Sequence, residues 1–173
     1  MKKSLDKALC AKYPKIFAER NLPMTETCMC WGFPGDGWYH ILDALCSAIQ
    51  YRIDRANADA DAAEKHNLAI TEGRLQDLDQ WARENPKLRE VRERIPQVVA
   101  SQVKEKFGGL RFYYGGGDEV IHNYVDFAEH LSYRTCEQCS KPGEPYSDGW
   151  VLTLCPAHAK KLGRSHKDET PLK

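Results

Sequence analysis

Residues 102–114 read QVKEKFGGLRFYY, and the fold turns on whether they form two strands or the end of a helix. Gly108 and Gly109 both tolerate positive φ, so the pair is suited to the centre of a tight hairpin turn. That turn opposes Phe107 to Leu110, Lys106 to Arg111, Glu105 to Phe112, Lys104 to Tyr113 and Val103 to Tyr114. Strand alternation then gathers Val103, Phe107, Leu110, Phe112 and Tyr114 on one face, with Glu105 the only polar member. The opposite face carries Lys104, Lys106, Arg111 and Tyr113. Upstream, Val99, Val103 and Phe107 share one parity, as a strand requires. The competing reading is a helix over 97–106 closed by Gly108 as its C-cap, which would scatter both sets.

The cationic face has two readings. Half-buried sheets ordinarily keep one wet, charged face, and lysines on an edge hairpin also discourage edge-to-edge aggregation. Alternatively, Lys104, Lys106 and Arg111 bind phosphates or a partner while Tyr113 stacks on a base.

Outward from the hairpin the pattern is helical. Ile41, Leu42, Leu45, Ile49 and Ile53 form the stripe of a core-facing helix from Trp38 to about Arg55, with Asp36 a candidate N-cap. Residues 118–133 return to helical spacing through Ile121, Tyr124, Val125, Ala128 and Leu131. Near the N-terminus, Leu5, Leu9, Ile16 and Phe17 suggest a helix interrupted at Pro14. Residues 21–37 read as a sharply bent loop. Between Ala56 and Glu84 lies a polar, Ala-rich arm, either one long helix or a hairpin bent near Asn67–Gly73. Leu68, Leu75, Leu78 and Trp81 give it a thin apolar stripe. The stretch KLREVRERI after Pro86 is expected to be a short helix ending before Pro96.

The C-terminal segment carries the chemistry. CEQC at Cys136 and Cys139 is followed by CPAH at Cys155 and His158. Two short-bite pairs of S and N donors across such a linker are the spacing of a tetrahedral zinc site. Pro142-Gly143 and Asp148-Gly149 supply turns, GWVLTL reads as a strand, and Pro156 sits in the first turn of a short helix. A knuckle, a hairpin and a ligand-bearing helix start make a treble-clef or zinc-ribbon-like module. Four protein ligands leave no open coordination position, so one structural Zn²⁺ is expected. His130 and His166 are runner-up ligands with less regular spacing.

Cys28, Cys30, His40 and Cys46 match no standard zinc spacing, and Cys46 adjoins an apolar stripe where cysteine serves as a small hydrophobe. Cys10 reads as packing too. The turn Gly35-Asp36-Gly37 is suited to cradle an anion at a helix N-terminus; more commonly such a turn starts a helix and anchors an aromatic, here Trp38.

The expected class is therefore α+β, mainly helical with one β-hairpin and a C-terminal zinc knuckle. Its parts are a main domain over 1–133 (with the variable arm at 56–84), a zinc-binding module over 134–163, and a flexible tail over 164–173. Lysine plus arginine equals aspartate plus glutamate, 25 each, so global charge steers the chain towards neither nucleic acid nor membrane. No apolar run is long enough to span a bilayer, and no signal-like segment opens the chain. Seven cysteines, an odd number, fit a reducing cytoplasm better than a disulfide framework.

Three blocks, GDGWYHILDALC, QVKEKFGGLRFYY and CEQC…GW…LCPAH preceded by AEHLS, resemble a family of small, largely uncharacterised proteins encoded by tailed bacteriophages and prophages. The resemblance implies an accessory protein of the bacterial host cytoplasm and brings no catalytic residue. Neither a Ser-His-Asp pattern, a P-loop nor H-E-x-x-H is present, and the carboxylate pair Asp77 and Asp79 needs only solvent. The expected function is non-enzymatic binding of a host protein, with a component of bacterial immunity as a candidate target. The alternative is nucleic-acid or nucleotide binding through the hairpin. Nothing in the sequence sets the oligomeric state.

Overall fold

A computed structural model describes residues 1–27 and 34–165. The chain is α+β, mostly helical, with two small antiparallel hairpins. Helix α1 (Lys3–Lys12) and the turns after it bury Leu9, Tyr13, Ile16 and Phe17. A short α2 (Met24–Thr27) comes next. A 3₁₀ turn at Asp36–Trp38 then opens the long helix α3 (Tyr39–Thr71), whose 33 residues extend about 50 Å. Its first half buries the expected stripe of Ile41, Leu42, Leu45, Ile49 and Ile53. Asp36 does not cap it through its side chain. The carboxylate instead accepts the backbone N–H of Lys2 at 2.6 Å.

The arm is one helix, not a hairpin, and the segment beyond it is not the expected short helix. After a second 3₁₀ turn (Leu75–Asp77) and a short α4 (Gln80–Glu84), residues 85–98 run extended back along α3 as a strap, so KLREVRERI is not helical. Two asparagines explain why. Asn57 donates to the Ile95 carbonyl at 3.2 Å and accepts the Ile95 N–H at 2.9 Å. Asn67 does the same for Arg89, at 2.8 and 2.7 Å. Each amide replaces the helical partners that the returning backbone would otherwise need. Ten helical residues advance about 15 Å, a span six extended residues cover without being taut. Arg94 adds ion pairs to Asp61 and Glu64, and His66 Nε2 lies 3.0 Å from the Lys87 carbonyl. The contact face of the arm is made by Ala60, Ala63, His66 and Ala69. Of the expected apolar stripe, Leu68 and Trp81 are exposed, because the strap approaches the alanine face closely and leaves the leucine side open.

Strands β1 (Val99–Lys106) and β2 (Gly109–Gly115) form the expected hairpin, but the turn sits one residue earlier than expected. Its centre is Phe107 (φ 53°) and Gly108 (φ 76°), the dihedral signs of a type I′ turn. Opposed pairs are Lys106–Gly109, Glu105–Leu110, Lys104–Arg111, Val103–Phe112 and Gln102–Tyr113. The two glycines have separate duties. Gly108 supplies the turn, while a Cβ on Gly109 would lie 2.3 Å from the Tyr133 ring. The turn is also fastened by the Glu105 carboxylate, which accepts the Gly108 N–H at 2.7 Å. Moving a two-residue turn by one position changes partners but not faces. Val103, Leu110 and Phe112 are thus buried as expected, while Phe107 is exposed at the tip. A bulge between Ala100 and Gln102 breaks the upstream parity, so Val98 and Ala100, rather than Val99, are fully buried.

Helix α5 (Glu119–Ser132) is capped by Asp118, which accepts the Ile121 N–H at 3.0 Å and pairs with Arg52 of α3. It buries Ile121, Val125, Ala128 and Ser132, whereas Tyr124 and Leu131 of the expected set stand partly exposed. Its side chains close the outer edge of β2: Ser132 Oγ accepts from Leu110 N at 2.8 Å and Glu129 from Phe112 N at 2.9 Å. Helices α1, α3 and α5 and the hairpin share one core. A second, small core of Cys136, Tyr146, Leu154, Cys155 and Ala159 belongs to the C-terminal module. That module comprises β3 (Glu144–Tyr146), β4 (Leu152–Leu154) and α6 (Pro156–Lys161). Of the expected flexible tail, Arg164 and Ser165 are tied to Asp148 at 2.9 Å each; the rest lies outside the described residues.

Candidate metal centre

The module's two ligand pairs come from different kinds of local structure. Cys136 and Cys139 sit on a knuckle in which the N–H groups of Cys139 and Ser140 both turn back to the Cys136 carbonyl, at 3.3 and 3.0 Å. Ser140 takes φ 64° to complete that reversal. Cys155 stands at the N-cap of α6, and His158 lies in its first turn behind Pro156. The hairpin β3–β4 carries the second pair to the first; its strand β4 accepts the Glu137 N–H at the Thr153 carbonyl, 3.0 Å.

The four donor atoms of Cys136, Cys139, Cys155 and His158 lie within 4.8 Å of one another. Cys139 Sγ is 3.8 Å from Cys155 Sγ, and His158 Nδ1 is 3.5 Å from Cys136 Sγ and 3.3 Å from Cys155 Sγ. A tetrahedral ion with S bonds of about 2.3 Å and an N bond of about 2.05 Å has edges of about 3.8 Å between sulfurs and about 3.6 Å between sulfur and nitrogen. The cluster has the size of such a coordination shell, so these residues can bind a metal ion. Cys136 and Cys155 are buried, Cys139 and His158 half-buried. The backbone N–H of His158, aimed at the Cys155 sulfur, holds that thiol down at about 6, in the range where a thiolate is ready to ligate. Burial pushes the Cys136 thiol up, so its deprotonation would depend on the ion itself.

The knuckle is clamped to the start of α3. Gly37 N–H donates to the Glu137 carbonyl at 2.8 Å, Ser140 Oγ donates to the Gly37 carbonyl at 2.7 Å, and the Trp38 indole donates to the Thr135 carbonyl at 2.7 Å. A Cβ at Gly35 or Gly37 would fall 2.1 Å from a knuckle carbonyl. These glycines exist for that approach. The anion-cradle reading of 35–37 loses its Gly37 donor to Glu137, while Trp38 is the fully buried anchor. Sequence reasoning missed the clamp; the glycines on either side of Asp36, directly ahead of a buried tryptophan, were its only trace.

The other candidates are dispersed. Cys28, Cys30 and His166 lie outside the described residues. Cys46 is buried in the main core, which drives its thiol far up, and burial raises the Cys10 thiol to about 11. His40 is exposed against Tyr39, and His130 Nδ1 lies 2.7 Å from the Asp126 carbonyl. Asp77 pairs with Arg74, and Asp79 caps α4 by accepting the Ala82 N–H at 2.9 Å.

On the hairpin, Lys104, Lys106, Arg111 and Tyr113 do share a face. The Lys104 ammonium lies 5.3 Å from the Tyr113 ring centroid, and Lys106 lies 5.4 Å from that of Phe107. Arg111 is committed inwards. It donates to its neighbour's carbonyl (Leu110, 2.6 Å) and to Tyr133 Oη (2.7 Å), and it faces Glu129 at 3.5 Å.

No protein-family model, curated protein or solved structure matches the chain. Among the described residues no helix is long and apolar enough to cross a membrane.

Proposed function

We infer that the chain is a non-enzymatic binding protein, held together by one structural Zn²⁺ at Cys136, Cys139, Cys155 and His158, that docks on a protein through its arm. The arm carries the reading. Leu68, Trp81, Leu88 and Val91 are exposed on the helix-and-strap unit, Trp81 and Leu88 by about two-thirds. Isolated exposed apolar residues are ordinary, but several on one projecting unit suit a polypeptide partner. Between residues 56 and 94, nine carboxylates face seven lysines and arginines, a net of two negative charges that repels phosphate slightly. The donor set favours zinc because three thiolates and an imidazole suit a borderline-soft tetrahedral ion, and four ligands leave no position for substrate.

The phage and prophage resemblance supplies the setting: a host protein in the bacterial cytoplasm, with immunity components as the candidate class. The hairpin alternative has less to offer, since of its three cations Arg111 is already engaged, which leaves Lys104 and Lys106 beside Tyr113. The test is affinity capture from bacterial lysate with the metal-loaded chain, identified by mass spectrometry, beside the variant Leu88→Asp. A partner lost with Leu88→Asp supports the arm. A partner retained by that variant refutes it. Nucleic-acid binding that falls steeply with salt and weakens in Lys106→Glu would favour the hairpin instead. Elemental analysis of protein purified without added metal checks the ion.

A further inference from the structure

Helix α5 exposes a second apolar surface, distinct from the arm. Val120, Tyr124, Phe127 and Leu131 are all at least a third exposed, and Phe127 projects at 70%. Their spacing of four, three and four residues is a heptad seam, the pattern by which one helix presents itself to another. The core-facing residues Ile121, Val125 and Ala128 lie on a different side of the same helix, so this seam is surplus to the fold. Beside it runs a groove of about 410 Å³ between Ala44 and Ala48 of α3 and Tyr124, Phe127 and Leu131 of α5. The alanines leave room where a larger side chain would fill it. A projecting phenyl ring thus stands next to a recess of similar character.

We propose that a second copy of the chain covers this surface, as a two-fold dimer in which the two α5 helices pack antiparallel. The spacing four-three-four reads the same in both directions. An antiparallel copy therefore sets Val120 opposite Leu131 and Tyr124 opposite Phe127, with every apolar position meeting another. This is the self-complementarity an isologous interface needs, in which residue i meets j and j meets i. Phe127 of each copy enters the Ala44–Ala48 recess of the other, and α3 and α5 with their copies make a four-helix layer.

Charge agrees with the direction. The N-terminal end of α5 carries Glu119, and its C-terminal end carries His130 and, just beyond, Arg134, all exposed or partly so. Among the described residues neither Glu119 nor Arg134 has an ion-pair partner. In the antiparallel register Arg134 lies two residues past the position opposite Glu119, within reach of a long guanidinium side chain. A parallel pairing would instead set Glu119 beside Glu119 and Arg134 beside Arg134. The opposed helix dipoles favour the same choice.

The experiment is sedimentation equilibrium on the full, metal-loaded chain. The expected mass at micromolar concentration is twice the chain's 19.7 kDa. Phe127→Glu should raise the dissociation constant by about 30-fold or more, the loss expected of a buried aromatic anchor, with metal content and circular dichroism unchanged. Glu119→Arg and Arg134→Glu should each weaken the dimer, and the double variant should restore it. These two lie outside the apolar seam, so they keep the test alive should Phe127→Glu fold poorly. A wild-type chain that stays monomeric at high concentration overturns the proposal. So does a dimer indifferent to Phe127→Glu, or charge reversals whose combination fails to restore association. Loss of partner capture through Leu88→Asp would leave the dimer untouched, so the two readings fail separately.

Discussion

Replacing Asn57 with alanine should free the strap that runs back along α3. The side chain makes two hydrogen bonds to one residue, accepting the Ile95 N–H at 2.9 Å and donating to its carbonyl at 3.2 Å. Ile95 is only 8% exposed, so water is poorly placed to take over either group. A typical net hydrogen bond contributes about 1 kcal/mol, and an interior donor left without a partner costs about 1–3 kcal/mol. The expected loss for Asn57→Ala is therefore about 2–3 kcal/mol. For a chain of this size that corresponds to a Tm lower by about 5–10 °C. Asn67 makes the same pair of bonds to Arg89, but at an exposed site where water substitutes, so Asn67→Ala should cost about 1 kcal/mol. Urea unfolding gives the stabilities, and amide hydrogen exchange at Ile95 and Arg89 shows whether the loss is local. Equal, small effects at both positions, or unchanged protection of Ile95 in Asn57→Ala, would refute the idea that the asparagines hold the strap.

The same geometry yields further outcomes. Cys139→Ser should abolish metal retention, read by elemental analysis, and expose the knuckle to proteolysis before the main core. Gly37→Ala places a methyl group 2.1 Å from the Cys136 carbonyl, so it should undock the knuckle; fluorescence of Trp38 should then shift towards that of a solvated indole. Phe107→Asn should stabilise the chain by about 0.5–1 kcal/mol in denaturant titration, because asparagine tolerates the positive φ that costs other residues about 1–2 kcal/mol. Asp118 is held below the usual carboxylate range, chiefly by its hydrogen bonds with Arg52. A lowered folded-state pKa means that the pairing stabilises fully above the unfolded value of about 4 and is lost as pH falls through the folded one. Asp118→Asn should thus be less stable than wild type at pH 7, and the gap in urea midpoints should close below about pH 4.

The candidate metal ligands were legible because ligation needs particular atoms at short spacing, and Cys136, Cys139, Cys155 and His158 announce that need without reference to the rest of the chain. The hairpin faces were legible for a related reason. A period of two survives a turn misplaced by one position, so Val103, Leu110 and Phe112 were assigned to the core although their cross-strand partners were off by two residues. What escaped was set by distant groups. Residues 87–95 look helical in isolation and become extended because Asn57 and Asn67, some twenty to forty positions earlier, offer their backbone partners. The turn is centred on Phe107 and Gly108, and Gly109 instead lies bare against the distant Tyr133 ring. Asp36 left its helix for Lys2. Each of these is a competition between local preference and a partner that sequence order does not reveal.

The clamp between Gly37 and Ser140 also bears on how quickly the protein can be made. It joins residues 103 positions apart, and such contacts are slow to form because the loop entropy is spent before anything is gained. An ion held by Cys136, Cys139, Cys155 and His158 would shape the knuckle before it meets Gly37 and so shorten that search. Metal supply would thereby become a kinetic variable. It would set how long a newly synthesised chain waits with the Trp38 indole unburied and the entrance to its longest helix loose, which is the interval in which proteases and aggregation compete with folding.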